Sequence, residues 1–409
     1  MTSVALPTDA LRRVAAPRWI AILGIGIGVL AFWVTLPPVT ARTIVPPIVL
    51  GLVAIAAGAW AVRQGEGKIG WGAAAAGLAG LGLGLAANHS SAAHLDEAVD
   101  WGALVAQMLA FATPVAFAAV GGMFSERSGV VNIGLEGMML AGAFFGILGA
   151  DKLNSWAIGL LTAMAAGAVL GLIHAFLAVH MRADQIVGGT AINFLALGVT
   201  GYFFIQIYGS NGTPGTGIPA IPNVKLHWLK DIPPDRLGGF LEKGFGSLNL
   251  MIWLLFAVLI AAYIIMFKTP IGLRLRSVGE HPRAADTVGI SVYKTRYAAV
   301  TVSGMIASLG GAFLSIGFVH SFSENMTAGR GFIGLAALIF GNWRPLGAFC
   351  AALIFGAATS LSFFLQPPYG YSVGVLVQAL PYTLTLIAVV GVIGRSVPPA
   401  SVGRPYVKQ

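Results

Sequence analysis

Glu126, Arg127, Asn132 and Glu136 fall within eleven positions of one another, in the stretch Phe124 to Gly146, FSERSGVVNIGLEGMMLAGAFFG, which is otherwise apolar. Ionisable groups at membrane depth are costly and are kept where they line a cavity, pair with one another or serve transport. Asn132 and Glu136 are spaced i, i+4, so on a helix they share a face. Turned to lipid at the midplane, that carboxylate would cost about 2.5–3.5 kcal/mol. The pair is therefore expected to face the interior, as an interhelical hydrogen-bond clamp or as the lining of a pathway. Glu126 and Arg127 are read as interfacial, with Glu126 near a helix start, where a carboxylate meets the positive end of the macrodipole.

A second polar intrusion is DQIVGGTAINFLALGVT, residues 184–200. Asp184 is placed to cap a helix N-terminus, with Gln185 beside it at the membrane edge. Gly188 and Gly189 permit close packing or a break. Thr190 and Asn193 are spaced i, i+3, with Phe194 adjacent. An amide next to an aromatic ring suits a planar solute that both stacks and forms hydrogen bonds; the same residues equally suit bonding between helices. Phe111 and Phe145 add rings near the polar cluster.

The 268–295 segment, beginning KTPIGLRLRSVGEHPRAADTVGISVYK, has a different character. Leu273, Val278, Ala284, Ala285 and Val288 alternate with Arg274, Arg276, Glu280, Arg283 and Asp286. Start and stop signals predict a short helix from near Pro282 to Gly289.

These residues must be carried by membrane helices. Of 409 residues, 57% are hydrophobic and only 10% charged, and there are 55 glycines, where soluble domains carry about a quarter charged residues. Mean hydropathy is +0.83. Apolar stretches able to span roughly 30 Å of hydrocarbon lie near 19–36, 44–62, 70–87, 103–122, 134–150, 156–178, 186–208, 249–267, 296–318, 346–364 and 373–394. A shorter one at 331–341 is a full span, a half-helix or a re-entrant element, with a crossing favoured. The expected fold is an all-α polytopic helical bundle of about 11–12 transmembrane helices. The first span follows Arg12, Arg13 and Arg18 and reads as a retained signal-anchor. With twelve crossings, most of the 24 Lys and Arg residues gather on the side of both termini, which places the termini in the cytoplasm. The loop at 209–248 is rich in Gly and Pro, and reads as turns and a lid rather than a folded domain.

Several classes of chemistry are excluded. The seven histidines form no HExxH and no carboxylate-backed pair at ligand spacing. GEGKIG at 65–70 lacks the glycine spacing and the hydroxyl residue of a P-loop, so the chain has no nucleotide-hydrolysing motor of that kind. Cys350 is the single cysteine, which removes disulfide frameworks and thiolate metal sites. The net charge of +9 is spread over loops and serves orientation rather than nucleic-acid binding.

Four ordered motifs carry a resemblance. FSERSGVVNIGLEGMMLAGAFFG, DQIVGGTAINFLALGVT, TPIGLRLRSVGEHPRAADTVGISV and GRGFIGLAALIFGNWRPLGAF resemble, in order and spacing, the branched-chain amino acid/ribose/nucleoside permease family of ABC importers, most of all its nucleoside and simple-sugar branch. The resemblance covers roughly 105–394. It implies the ABC importer permease fold over 101–395, with residues 1–100 an added tail and about three spans, and 396–409 a cytoplasmic tail. It also implies a multi-pass protein of the bacterial cytoplasmic membrane that carries nucleosides by alternating access. Its partners would be a cytoplasmic ABC ATPase, a second related permease and an extracytoplasmic substrate-binding protein. ATP and Mg would reside on the ATPase, with no cofactor in this chain and no enzymatic activity of its own. The 272–291 segment matches the place where such permeases couple to the ATPase, which singles out Gly272, Arg274, Arg276, Gly279, Glu280, Arg283, Asp286 and Gly289. The candidate pathway residues are Asn132, Glu136, Thr190, Asn193, Phe194 and Phe111. A ribose-like sugar permease of the same family is the alternative; an ion-coupled transporter protonated at Glu136 is the alternative of another class.

Overall fold

The computed structural model describes residues 8–34, 44–89, 100–209, 212–214, 217–233, 235–369 and 397–408. The expected span at 373–394 lies outside these residues. The chain divides into two compact units, one comprising Met1–Trp101 with Lys230–Phe240, the other Gly102–Leu229 with Leu241–Gln409.

In the first unit, α1 (Thr8–Trp33), α2 (Val45–Arg63) and α3 (Gly67–His89) pack on one another. Their contacts are made of small residues: Gly28 of α1 lies against Ala76 and Gly80 of α3, and Gly58 of α2 against Gly70 and Ala74. Small residues let helix backbones approach where lipid removes the hydrophobic drive for association.

The second unit carries α4 (Trp101–Arg127), α5 (Leu135–Lys152), α6 (Trp156–Ala175) and α7 (Gln185–Tyr208). A short antiparallel ribbon, β1 (Asn223–Lys225) with β2 (Ser247–Asn249), flanks α8 (Asp235–Phe245) in the sequence. The 209–248 stretch, expected to be turns, thus holds a paired ribbon and a helix. Then follow α9 (Leu250–Lys268), α10 (Pro270–Glu280), α11 (Pro282–Thr287), α12 (Val292–Ala312), α13 (Arg330–Phe340) and α14 (Pro345–Tyr369). The starts are written in the sequence. Asp184 accepts hydrogen bonds from the Ile186 and Val187 amides to open α7; Asn249, Thr269 and Ser291 do the same for α9, α10 and α12. Among the described residues, seven helices are long and apolar enough to cross a membrane, with shorter apolar helices at Pro17–Phe32 and Arg330–Phe340. The protein is an all-α, multi-pass membrane bundle.

Helix α12 is the centre of the second unit. A Cβ on its Gly304 would strike the Gly167 carbonyl of α6, and one on Gly311 the Met139 carbonyl of α5, so both helices lie directly on its backbone. Phe117, Phe144, Phe313, Met123 and Met251 fill the core around it.

Two irregularities interrupt the bundle. Residues 128–134 break the path between α4 and α5. Helix α13 has 11 residues, about 16 Å at the helical rise, which is half a bilayer core. Residues 320–329 lead into it without helical structure. Phe322 packs on Phe144 and Phe204, each at 5.2 Å between ring centroids. Five residues later, Thr327 reaches Glu136, which lies about 12 Å from Phe144 along α5. The 331–341 segment is therefore a half-helix, preceded by a run of turns.

Candidate functional site

A buried break in a membrane helix leaves backbone amides and carbonyls that need partners inside the protein. Here side chains from four helices supply them. Gln185 Oε1 accepts from the Val131 amide at 2.7 Å, and His174 Nε2 donates to the Val131 carbonyl at 2.8 Å. Asn193 Nδ2 donates to the Ile133 carbonyl at 3.0 Å while its Oδ1 accepts from the Gly137 amide at 2.8 Å. Ser125 Oγ donates to the Val130 carbonyl at 2.7 Å, and Arg296 Nε to that of Ser128 at 3.2 Å. Asn132 is fully buried and donates to Ser303 Oγ at 3.0 Å. The break is thus a stitched seam.

Glu136 opens the helix that follows the seam. It is 7% exposed. Its Oε1 accepts from Thr327 Oγ1 at 2.6 Å and the Gly329 amide at 2.8 Å, and its Oε2 accepts from the Gly331 amide at 2.6 Å. These donors are the N-terminal end of the half-helix α13, where unpaired amides and the macrodipole favour an anion. The carboxylate is an internal cap, and both its oxygens are taken by protein donors.

The other end of α13 is held as well. Glu126 Oε2 accepts from the Trp343 indole at 2.6 Å, and Arg127 donates to the Trp343 carbonyl through Nε at 3.1 Å and a terminal nitrogen at 3.0 Å. Glu126 lies at the end of α4, not at a helix start, and is buried in the protein. The helix stops there because Gly129 adopts φ +93°, a conformation open to glycine without strain.

Of the pathway candidates, the structure gathers Asn132, Glu136 and Asn193 at the seam. Thr190 and Phe194 are not among them: both are exposed on α7, Phe194 at 70%, and Thr190 Oγ1 donates back to the Ile186 carbonyl at 2.8 Å. Phe111 is elsewhere on α4, stacked at 5.4 Å on Phe363 and edge-on to Phe318 at 5.6 Å. His174, Ser303, Thr327, Gly329, Gly331 and Trp343 complete the site and were not singled out from sequence. The signal for three of them was present, since TAGRG before an apolar run is a helix start with free amides.

In the 268–295 segment, α10 and α11 form a helical pair. Arg274, Glu280 and Arg283 are exposed, as are Ile271, Leu273 and Val288. Arg276 stacks its guanidinium over Phe267 at 5.2 Å, and Asp286 pairs with Lys408 at 4.0 Å. Gly289 turns the chain at φ +85°. Gly272 and Gly279 are buried; a Cβ on Gly279 would strike the Arg127 carbonyl. The C-terminal residues 397–408 strap this pair down: the Ser401 amide donates to the Gly279 carbonyl at 2.9 Å, that of Ala400 to Glu280 Oε2 at 3.1 Å, and that of Gly403 to the Gly129 carbonyl at 3.2 Å.

A family model described as branched-chain amino acid transport system / permease component matches residues 104–390. The guanosine ABC transporter permease protein NupQ of Bacillus subtilis is 46% identical over 313 residues, covering 75% of this chain and 96% of that protein. The nucleoside ABC transporter permease protein NupC of Lactococcus lactis is 38% identical over 321 residues, with coverage of 75% and 96%. A second Bacillus subtilis protein, the guanosine ABC transporter permease protein NupP, is 27% identical over 250 residues, covering 60% of this chain and 69% of its own length.

Proposed function

The chain belongs to the branched-chain amino acid transport system permease family, and on that premise we propose that it is the membrane subunit of an ATP-binding cassette importer for nucleosides. The observation that carries the substrate class is the 46% identity to a guanosine permease across 96% of that protein. The geometry is in keeping with it. A half-helix whose N-terminus ends inside the bundle, next to irregular backbone, is how transporters build a site at membrane depth.

In this reading the motor is a separate cytoplasmic ATPase that holds ATP and Mg. The exposed face of α10 and α11, with Arg274, Glu280 and Arg283 among Ile271, Leu273 and Val288, is where it docks. Both termini lie in the cytoplasm, and the membrane is the bacterial cytoplasmic membrane. A second, related permease completes the pathway; Bacillus subtilis has two guanosine permeases that resemble this chain. An extracytoplasmic binding protein delivers the solute, and residues 1–100 are an accessory unit added to the 101–395 permease. The test is uptake of labelled guanosine in cells that express the chain with its partner subunits. Uptake that needs the ATPase and is competed by nucleosides, not by ribose, is the expected outcome. Competition by ribose alone would reassign the substrate to sugars.

A further inference from the structure

The run from Ser321 to Gly329 is irregular backbone packed on α7, with Phe322 against Phe204 and Glu324 beside Gly201. Such backbone is stable at membrane depth only where it is buried in protein or lines a water-filled cavity. Its apolar and hydroxyl anchors, Phe322 and Thr327, are buried, but Ser323, Glu324 and Asn325 are exposed. They cannot face lipid, because a carboxylate there is among the costliest of groups. The face they open onto is fixed by α7: the Glu324 carboxylate lies 3.9 Å from where a side chain on Gly201 would begin.

Along α7, Phe194, Gly198 and Gly201 are spaced i, i+4, i+7 and lie on one stripe. Phe194 is 70% exposed at the lower end. Gly198 has no atom within 4 Å of where its Cβ would stand. Gly201, with Glu324 beside it, lies about 10 Å above Phe194. The stripe thus runs from a bare aromatic ring past an open gap to a carboxylate.

We infer that this stripe is the solute-recognition face of the permease, with Phe194 stacking on the base and Glu324 accepting hydrogen bonds from the ribose cis-diol. The inference rests on the nucleoside reading above. Rings stack on any base at little cost in selectivity, whereas a carboxylate offers two oxygens to two hydroxyl donors. The ring then sets affinity and the carboxylate demands a ribose.

The experiment is uptake by the complete transporter in cells, with 2′,3′-dideoxynucleosides and free bases as competitors. The wild type is expected to prefer the nucleoside over its dideoxy analogue by about tenfold or more. Glu324→Ala should raise KM for the nucleoside by that factor and abolish the preference, with Asn325→Ala close to wild type. Phe194→Ala should weaken nucleoside and free base alike, and Phe194→Trp should restore both. Expression and thermal unfolding of each variant are followed in parallel. A wild type that imports no nucleoside overturns the functional reading itself. A wild type that imports nucleosides, with unchanged discrimination in Glu324→Ala, overturns this inference alone. So does loss of the second permease from purified Phe194→Ala complexes, which would make the ring a subunit contact.

Discussion

Glu136 acts as a fastener, and its substitutions separate that role from proton carriage. Removing the carboxylate strands the Gly329 and Gly331 amides and the Thr327 hydroxyl. Glu136→Ala should therefore destabilise the protein by about 3 kcal/mol or more, seen as a lower Tm in detergent. Glu136→Gln keeps one acceptor oxygen and should recover part of the loss. A proton carrier would behave in the opposite way, with Glu136→Gln stable but dead in transport. The interior position of Glu136 was legible from the cost of exposing a carboxylate to lipid, but Asn132 sits in the irregular seam and shares no helical face with it. Their partners were not legible, because Ser303 and Thr327 lie far away in sequence. Glu126 differs from the expectation for another reason: Arg127 followed by Ser128 and Gly129 is a helix-stop pattern, so Glu126 ends a helix instead of opening one.

At the level of elements, the small residues decide which helices touch. Gly304 on α12 faces the Gly167 carbonyl of α6 at backbone contact. Gly304→Leu should force the two helices apart, and size-exclusion chromatography should show aggregated or absent protein. Helix positions followed from apolar length, and the cap at Asp184 from residue type; the caps at Ser291 and Thr269 are seen only in the structure. Helix α13 could not be resolved the same way. Eleven apolar residues are compatible with a full span, a half-helix or a loop, and only the packing of Phe322 and the Glu136 cap decides. The β1–β2 ribbon was hidden for a similar reason, since three-residue strands leave no periodicity to read.

At the scale of the molecule, the end proposed to meet the ATPase is built from parts distant in the chain. Arg274→Glu combined with Arg283→Glu changes only exposed charge, and should lower transport per ATP hydrolysed while leaving Tm unchanged. Gly279→Val reaches the Arg127 backbone instead and should lower Tm, so the two measurements together separate docking from folding. The amphipathic character of 268–295 announced this segment; the strap at 397–408 gave no such notice, because its bonds run through backbone atoms. The way α13 is tethered has a mechanical consequence. Its two ends are gripped by Glu136 and Glu126, ten residues apart on either side of one seam, and the strap fastens the foot of that seam to α10. The half-helix, the seam and α10 are therefore joined by one continuous run of hydrogen bonds and backbone, which leads from the Gly279 carbonyl through the strap and Gly129 to Glu136.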